Sequence, residues 1–490
     1  MGGDTEAIAG LADRMSSLEQ EVAGLRSQLA PSREQAAGGP VAAAPLFGEL
    51  IPSGDPQWYQ GFRSPHYKQT HFDFRDKVRA FVVAEIDPHV ADWEKYAYFE
   101  AGEAPEPEKQ LDPAALLRAA AEWSILPATM GGEWPAGFTD APAPPDYDLF
   151  HAQILIEELA RPSSEIASVI LTGMIIGLRS VMQFGLRGGA ALTHEVVSDC
   201  LSGGNNICLC MSEPYAGSDV AGLTATAKLS ADGTHYVLNG EKKWITGGVH
   251  SEYFNVACRT DGEGAEGLSM MVVKRSFGGV KTQKMEVTGW WASGTTYITF
   301  EDVKVPVEYV VGEPGNGFRQ MMINLNHERW WVAVMASRHA RTALEEALRY
   351  TQKRKTMGQF LIEHQAIRTK ISKMTMAVES THQLIEHMTY QMIHMPEEEQ
   401  RVMLAGHSAL LKVQACQAFE MCTREASQCM GGISYVRSGQ GRKLESLLRS
   451  VRAFVIFAGS EEVMMDLGAR QMVRLQRSLQ DAGPAARAAL

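Results

Sequence analysis

Apolar residues recur at helical spacing in the part of the chain that follows residue 71. The helices that this spacing predicts cover residues 72–84, 113–123, 148–161 and 166–184. The last of them is so apolar that we expect it to be buried. Segments rich in proline and glycine, notably residues 103–108 and 131–145, separate these helices. Residues 61–205 are therefore predicted to form a helical domain.

The hydrophobic pattern changes twice further along the chain. Between residues 206 and 312, β-forming residues alternate or cluster, with glycine and Asp-Gly turns between them, which predicts a β domain. Between residues 313 and 490 long helical periodicity returns, with alanines at three- and four-residue steps that permit close helix packing. Helices, strands and helices in separate runs predict an α+β protein, because a dinucleotide-binding fold would alternate strand and helix. No GxGxxG motif opens a helix after a strand, so a Rossmann nicotinamide site is not expected.

The N-terminal region carries an apolar repeat with alternating steps of three and four residues. The repeat predicts a helix over residues 1–30. Two interpretations stay open: a short coiled coil that joins protomers, or an amphipathic helix that docks on its own domain. Residues 31–60 contain many Pro, Gly and Ala residues and are typical of a flexible linker. The repeat consists of Ile8, Leu11, Met15, Leu18, Val22, Leu25 and Leu29.

Composition narrows the classes of function. The 490 residues have a formal net charge of -12, which disfavours a nucleic-acid partner because such a partner needs a basic surface. The 7 cysteines show no CxxC spacing, and the closest pair, Cys208 and Cys210, has no second pair to complete a zinc site. We expect reduced, mostly buried thiols in a reducing compartment.

Two further expectations concern membranes and targeting. We find no run of eighteen apolar residues and therefore expect no membrane-spanning helix. The acidic residues near the N-terminus are wrong for a transit peptide or a secretory signal, and the final Ala-Ala-Leu is no clear peroxisomal address. The expected location is the cytoplasm.

Two short motifs carry the chemistry. Residues 211–222, MSEPYAGSDVAG, form a loop rich in Gly, Ser and Asp, whose backbone N–H groups can bind a phosphate or a ring acceptor. Residues 239–248, NGEKKWITGG, follow it. A loop of the first kind alone is equally typical of an ordinary surface turn. The two motifs together resemble the flavin- and substrate-binding signature of the acyl-CoA dehydrogenases.

Three more motifs extend this resemblance over about residues 60–480. They are FEDVKVP at 300–306, RKTMGQFLIEHQAI at 354–367 and QCMGGISYVR at 428–437. The resemblance implies an N-terminal helical domain, a middle β-barrel-like domain and a C-terminal four-helix bundle. It also implies FAD as cofactor, an acyl-CoA substrate, an electron-transfer flavoprotein as electron acceptor and a homo-oligomer, most often a tetramer.

The resemblance assigns roles around the flavin. Met211 and Ser212 would line the ring, Trp244 would lie against the isoalloxazine, and Thr246 would lie near N5, where a donor tunes hydride acceptance. Without the motif, Trp244 would be an ordinary strand aromatic and Thr246 a turn residue. Arg354 is expected to meet the FAD pyrophosphate of a neighbouring subunit, because its guanidinium can bind two oxygens. A solvated arginine in the basic run KRK is the alternative.

The resemblance implies further contacts with FAD at positions where this sequence departs from the residue types of many relatives. Met357 replaces a phenylalanine of many relatives, which exchanges a stacking ring for a flexible thioether. Glu462 stands where glutamine is frequent, which puts its flavin contact in doubt. The remaining implied FAD contacts are Gln365, Gln428, Gly432 and Ser460.

The general base is not where many relatives have it. Their base is the Glu of a Tyr-Glu-Gly-Thr turn, and residues 457–460 of this chain read Phe-Ala-Gly-Ser, in which Ala458 cannot accept a proton. The isovaleryl- and long-chain-type members place the base at the start of a long helix instead. The run LNHERWW puts Glu328 at that position, which makes it the expected base. A glutamate near a helix start that is favoured by the helix dipole is the structural alternative.

Substrate contacts follow from the same comparison. The backbone N–H of Ala458 would bind the thioester carbonyl, and a backbone donor survives a change of side chain. Ser218, Asn326 and Arg329 match positions that meet the substrate or position the helix. Trp331 lies one helical turn after Glu328, where it shapes the acyl cavity or simply belongs to the core.

The expected reaction is FAD-dependent dehydrogenation of an acyl-CoA to the trans-2-enoyl-CoA. Alternatives are an oxidase or a flavin monooxygenase on the same fold, and a non-catalytic flavoprotein subunit of an assembly. Glu328 counts against the last two of these. Acyl chain length, branching, and the choice between CoA and an acyl carrier protein stay open.

Overall fold

The structure is a computed structural model that describes residues 45–99 and 102–481. The predicted heptad helix over residues 1–30 and most of the predicted linker lie outside the described residues. The described residues form two compact units: residues 45–50 with 56–65, and residues 51–55 with 66–99 and 102–481.

The described part of the first unit is small and folded around an aromatic contact. Its 3-10 helix spans Gln57–Gln60. The ring of Tyr59 meets the ring of Phe47 edge to face at 5.2 Å, and the backbone N–H of Phe47 donates to the Tyr59 carbonyl. In the second unit, Asp55 is buried and its Oδ1 lies 3.0 Å from Arg338 Nη1. The flexible-linker interpretation is therefore wrong for the described residues 45–60. The ring contact and hydrogen bond of Phe47 and the buried ion pair of Asp55 fix this part of the chain.

Within the described residues seven helices precede the sheet, and the apolar spacing predicts the helical segments near residues 72–84, 113–123, 148–161 and 166–184. Their bounds are α1 Gln69–Phe81, α2 Val90–Tyr96, α3 Pro113–Glu122, α4 Leu149–Ala160, α5 Ser164–Thr172, α6 Arg179–Phe184 and α7 Ala190–Leu201. A π-helical segment, Gly173–Leu178, joins α5 to α6 without a break. The helix Ser164–Phe184 is long and apolar enough to cross a membrane, which corrects the expectation from sequence that no such stretch exists. Because 83% of its apolar window is buried inside the protein, it has the character of a core helix.

The middle region is a curled seven-stranded sheet. Its strands are β1 Ile207–Cys210, β2 Thr226–Leu229, β3 His235–Ile245, β4 Tyr253–Arg259, β5 Leu268–Lys274, β6 Val280–Lys284 and β7 Thr296–Pro306. The strand order is β1-β4-β2-β3-β7-β6, with β5 paired to β4. β4 is parallel to β1 and β2, and the other pairs are antiparallel. The inward-facing apolar residues of these strands form one core cluster.

Long helices make up the C-terminal region. Their bounds are α8 Gly317–Thr351, α9 Gln365–His394, α10 Glu397–Met403, α11 Ala405–Met430, α12 Arg442–Ile456 and α13 Glu461–Asp481. A two-stranded hairpin, β8 Lys355–Thr356 with β9 Gln359–Phe360, lies between α8 and α9. α11 packs against α8, α9, α12 and α13. The alanine row of α8 is fully buried, as the spacing predicts, and consists of Ala333, Ala336, Ala340, Ala343 and Ala347.

One close contact fixes where α8 begins. A Cβ on Gly317 would lie 2.6 Å from the backbone of Ser269 in β5, so only glycine lets the first residue of α8 lie against the sheet. The α+β class and the order of helices, sheet and helical bundle are confirmed. All seven cysteines are buried and unpaired.

Candidate active site

A buried ion pair holds the first motif against the second. Glu213, the third residue of the loop that follows β1, accepts from the N–H groups of Thr224 and Ala225 at 2.7 and 3.0 Å. Lys242 of β3 donates to Glu213 Oε1 at 2.8 Å and to the Met211 carbonyl at 2.9 Å. Burial alone would raise the pKa of Glu213, but the Lys242 ammonium and the backbone N–H groups bring it below its usual value. The loop over residues 211–222 is thus fixed by charge as well as by backbone.

The second motif presents an aromatic ring at the surface. The backbone N–H of Lys243 donates to the Ser212 carbonyl at 2.9 Å, so the two motifs are neighbours. Trp244 lies on a bulge of β3, has a left-handed φ of 61°, and leaves 50% of its side chain exposed. An ordinary strand aromatic would pack its ring on the sheet, and a left-handed conformation at a bulky residue carries strain that is typical of ligand sites. Thr246 lines a small cavity together with Thr172 and His250.

Glu328 is buried in the fourth turn of α8. Asn324, one turn earlier, donates through Nδ2 to Glu328 Oε1 at 2.9 Å. Burial raises the pKa of Glu328 to about 7, and Arg329 and the Asn324 bond oppose that shift. A carboxyl group that titrates near neutral pH inside a protein is suited to general-base chemistry.

A small cavity joins the base to the first motif. Its lining includes Glu328 and Asn324 from α8, Met211 from the loop, Ile176 from the π-helical segment and Ser180 from α6. Residues 211 and 328 are far apart in the sequence, and only the fold brings them to one space. The buried oxygens Asn324 Oδ1 and Gln320 Oε1 beside this base have no hydrogen-bond partner among the described residues. Unpartnered buried acceptors of this kind are typical of a site that receives a donor.

The residues on either side of the base are linked to each other, and one of them is linked to α11. Arg329 is largely buried, and its Nη1 lies 3.4 Å from Asn326 Oδ1. Ser408 of α11 donates to the same Oδ1 at 3.1 Å. Burial lowers the pKa of Arg329, against the attraction of the Glu328 carboxylate.

The turn that replaces the usual glutamate is sharply bent. α12 ends at Ile456, and Ala458 and Gly459 both have positive φ, of 55° and 103°. Phe457 stacks on Trp290 with ring centroids 5.4 Å apart and lies 6.2 Å from the ring of Trp331. The ring of Trp331 in α8 therefore lies near Phe457, the residue that precedes Ala458. Its role as cavity wall or core stays a prediction.

The structure places the other predicted site residues at the surface. Met357, at the tip of the β8–β9 hairpin, is 93% exposed, and Arg354 precedes that hairpin. Ser460 is partly buried in the turn, and Glu462 is exposed in the first turn of α13. The remaining residues of this group, all exposed, are Ser218, Gln365, Gln428 and Gly432. Their roles stay predictions.

Sequence reasoning gave no role to Glu213, to Asn324 or to Lys412, a buried lysine of α11 that donates to the Gly459 carbonyl. Asn324 was detectable, because it lies four residues before Glu328 on a predicted helix. Lys412 was detectable as a lone charge in the apolar run ALLKVQAC. Glu213 was not, because its partner Lys242 is 29 residues away.

The fold and this site define a flavoprotein dehydrogenase. Residues 208–303 match the model of the acyl-CoA dehydrogenase middle domain, and residues 315–473 match that of the C-terminal domain. The acyl-CoA dehydrogenase apdG of Emericella nidulans is 36% identical over 431 residues, which are 87% of this chain and 96% of that protein. The acyl-CoA dehydrogenase AFT10-1 of Alternaria alternata is 33% identical over 430 residues, again 87% and 96% of the two chains. The chain belongs to the acyl-CoA dehydrogenase family.

A solved structure shares the fold. The acyl-CoA dehydrogenase from Bacillus anthracis, complexed with FAD, has a TM-score of 0.72 and 24% identity, and the alignment covers 86% of this chain and 69% of that one. Family members are FAD-dependent oxidoreductases, and the residues present here fit that cofactor. The half-exposed Trp244 indole offers a ring surface, and the fixed loop supplies Met211 to the lining of the cavity that holds Glu328.

Proposed function

We propose that this protein removes hydrogen from the α and β carbons of an acyl-CoA thioester to give the trans-2-enoyl-CoA, with Glu328 as the base. One observation carries the proposal. The Glu328 carboxylate is buried in a cavity that is also lined by Met211 of the flavin-binding motif. A carboxylate so placed can reach a substrate that lies between it and the flavin.

The chain's residues account for the proton. FAD, when bound, accepts the β-hydrogen as hydride. The Glu328 carboxylate takes the α-proton, the C–H electron pair becomes the new C=C bond, and Glu328 is left protonated. Asn324 fixes one carboxylate oxygen by its hydrogen bond, which leaves Oε2 for the proton. The Ala458 N–H binds the thioester carbonyl and stabilises the developing enolate charge.

Residues next to the base and in the first motif would hold the rest of the substrate. Arg329 and Asn326 follow and precede Glu328 on α8 and match pantetheine-contacting positions. Ser218 in the exposed part of the first loop would contact the same arm. The Ser408 bond to Asn326 supports this reading because it fixes that amide beside the base.

Assembly and electron transfer follow from the exposed family positions. We infer that Arg354, Met357, Gln365, Gln428 and Gly432 contact FAD of a neighbouring subunit in a homotetramer. Their exposure in the single chain supports this, since a cofactor shared across an interface needs exposed residues. An electron-transfer flavoprotein would then reoxidise the flavin, and residues 1–30 would add an accessory contact between protomers.

The buried base also separates this function from its alternatives. A flavin monooxygenase needs no α-proton base, and a non-catalytic subunit has no use for a costly buried carboxylate. An oxidase would share the base and differ in its electron acceptor. Turnover of acyl-CoA with an artificial acceptor, compared with oxygen alone, distinguishes the oxidase.

The experiment is anaerobic stopped-flow bleaching of the flavin in wild type and in Glu328→Gln. A panel of acyl-CoA substrates with four to eighteen carbons comes first, to find a substrate that bleaches the wild type. The variant should keep FAD and lose roughly 10²–10⁴-fold in the bleaching rate, because glutamine cannot accept the proton. Glu346→Gln, about 27 Å further along the same helix, is the matched control and should bleach normally. Near-normal bleaching by Glu328→Gln would show that the base lies elsewhere.

A further inference from the structure

A fully buried lysine lies behind the Ala458 turn. Lys412 of α11 has no exposed side-chain surface. Its ammonium donates to the Gly459 carbonyl at 2.9 Å and to the Val455 carbonyl at 3.3 Å. Both of these partners are backbone carbonyls, and within residues 45–99 and 102–481 no salt bridge to Lys412 is present. Burial lowers the pKa of Lys412, while the Glu461 carboxylate attracts this ammonium from a greater distance. A buried amine that makes no direct ion pair is costly, so its retention calls for a role.

The carbonyls of Val455 and Gly459 lie on either side of Ala458, whose backbone N–H would bind the thioester carbonyl. Val455 lies in the last turn of α12, where helix carbonyls lack an N–H partner, and Gly459 follows Ala458 directly. Ala458 and Gly459 are both left-handed, a conformation that alanine adopts only under constraint. The Lys412 ammonium therefore hydrogen-bonds to the backbone on both sides of Ala458.

The same face of α11 also reaches the base. Ser408, four residues before Lys412, donates to Asn326, two residues before Glu328. Positions four apart on a helix lie on one face. One helix face therefore contacts both the segment that carries the base and the turn that carries the carbonyl-binding N–H.

We propose that Lys412 is a positioning residue that aims the backbone N–H of Ala458 at the thioester carbonyl. The ammonium holds the Val455 and Gly459 carbonyls, and these hold the peptide plane between Phe457 and Ala458. This inference rests on the proposed function, because it needs the thioester carbonyl at Ala458. Lys412 would then increase the reaction rate although Lys412 itself touches neither substrate nor flavin.

We expect the loss of Lys412 to lower the rate of the chemical step more than the affinity for acyl-CoA. Losing one donor to a developing oxyanion costs roughly 10²–10³-fold in rate, and misaiming it costs part of that. Lys412→Met keeps the apolar stem and removes the donors. We expect the limiting rate of flavin bleaching to fall about 10- to 100-fold, with less than about a threefold change in the apparent Kd for acyl-CoA.

The deciding measurement reads the hydrogen bond itself. In a Glu328→Gln background, which prevents turnover, the carbonyl stretch of a thioester labelled with 13C at C1 is recorded by difference infrared spectroscopy. Binding should shift this band to lower wavenumber, and adding Lys412→Met should remove much of the shift while FAD stays bound. Lys443→Met makes the same substitution at the start of α12, far from the turn, and should leave band and rate unchanged.

The outcomes separate this inference from the proposed function. If no acyl-CoA of the panel bleaches the wild-type flavin, the proposed function fails. If the wild type is bleached and Lys412→Met matches it in rate and carbonyl band, only the positioning role is overturned. Should Lys412→Met not fold, Lys412→Gln keeps an N–H donor on a shorter side chain. That variant should then show an intermediate band shift, and a wild-type shift with wild-type rate would overturn the inference.

Discussion

The side-chain amide of Asn324 and the carboxylate of Glu328 are hydrogen-bonded across one turn of α8, with Nδ2 2.9 Å from Oε1. The bond favours the ionised carboxylate, and burial opposes it. The balance leaves the pKa of Glu328 raised to about 7, within reach of small changes in its surroundings.

The pH dependence of flavin reduction follows from this balance. Glu328 acts as a base only when ionised, so kcat/KM should rise as pH rises through about 7 and level off above it. Asn324→Leu removes a donor to the charged form and should move the midpoint about one pH unit higher. Rapid-reaction measurements between pH 5.5 and 9 test both. A midpoint that moves to lower pH would contradict the role of Asn324.

Moving the carboxylate to the other family position should restore part of the activity. Glu328→Gly with Ala458→Glu puts the acid in the 457–460 turn. Ala458 already has a Cβ at a φ of 55°, so glutamate adds no new backbone clash there. We expect the double variant to bleach faster than Glu328→Gly alone, and slower than wild type because the cavity is shaped without that side chain. Equal rates for the single and double variants would show that the two positions do not address one α-carbon.

Breaking the ion pair behind the flavin loop should weaken FAD binding. Lys242→Met leaves the Glu213 carboxylate buried without its ammonium, which costs roughly 3–5 kcal/mol in stability. It also frees the Met211 carbonyl. We expect FAD to be lost on gel filtration, with thermal unfolding shifted to lower temperature. Lys242→Met with Glu213→Gln removes the unpaired charge and should recover part of the stability, which separates charge burial from loop positioning.

Arg354 should link cofactor retention to assembly. Arg354→Gln removes a bidentate partner for the pyrophosphate and should lower both FAD content and the fraction of large oligomer. Lys353→Gln, the exposed neighbour in the same basic run, is the control and should do neither. Light-scattering mass and the flavin absorbance ratio measure the two effects. A wild-type oligomer with full FAD in Arg354→Gln would refute the contact.

Trp331 should set the acyl length that the cavity accepts. Its ring is buried beside Phe457 and its Nε1 has no hydrogen-bond partner among the described residues. Trp331→Leu opens space one turn from Glu328 without breaking a hydrogen bond, so the preferred acyl-CoA should become longer. Trp330→Leu breaks the 2.8 Å bond to Thr389 and should destabilise the protein without changing the preference. Rates measured for each variant over the acyl-CoA panel show whether Trp331 forms a wall of the acyl cavity or belongs only to the hydrophobic core.

The sequence by itself determined the order of regions and the family. Helical spacing before residue 205, alternation from 206 to 312 and renewed helical spacing after it are local properties, and side-chain periodicity follows directly from backbone geometry. The motifs of residues 211–222 and 239–248 are equally local, so FAD and the family could be inferred from them. Glu328 was found because it belongs to the contiguous run LNHERWW.

Only the tertiary structure decided which distant groups meet. The Lys242–Glu213 pair, the cavity shared by Met211 and Glu328, and the Lys412 bonds at the Ala458 turn each join segments with no periodic relation in the sequence. The same holds for Asp55, which composition assigned to a linker and which Arg338 fixes in the interior. Burial and charge pairing depend on what packs from elsewhere in the chain. That is also why a glutamate ordinary in sequence acquires a pKa near 7 in the fold.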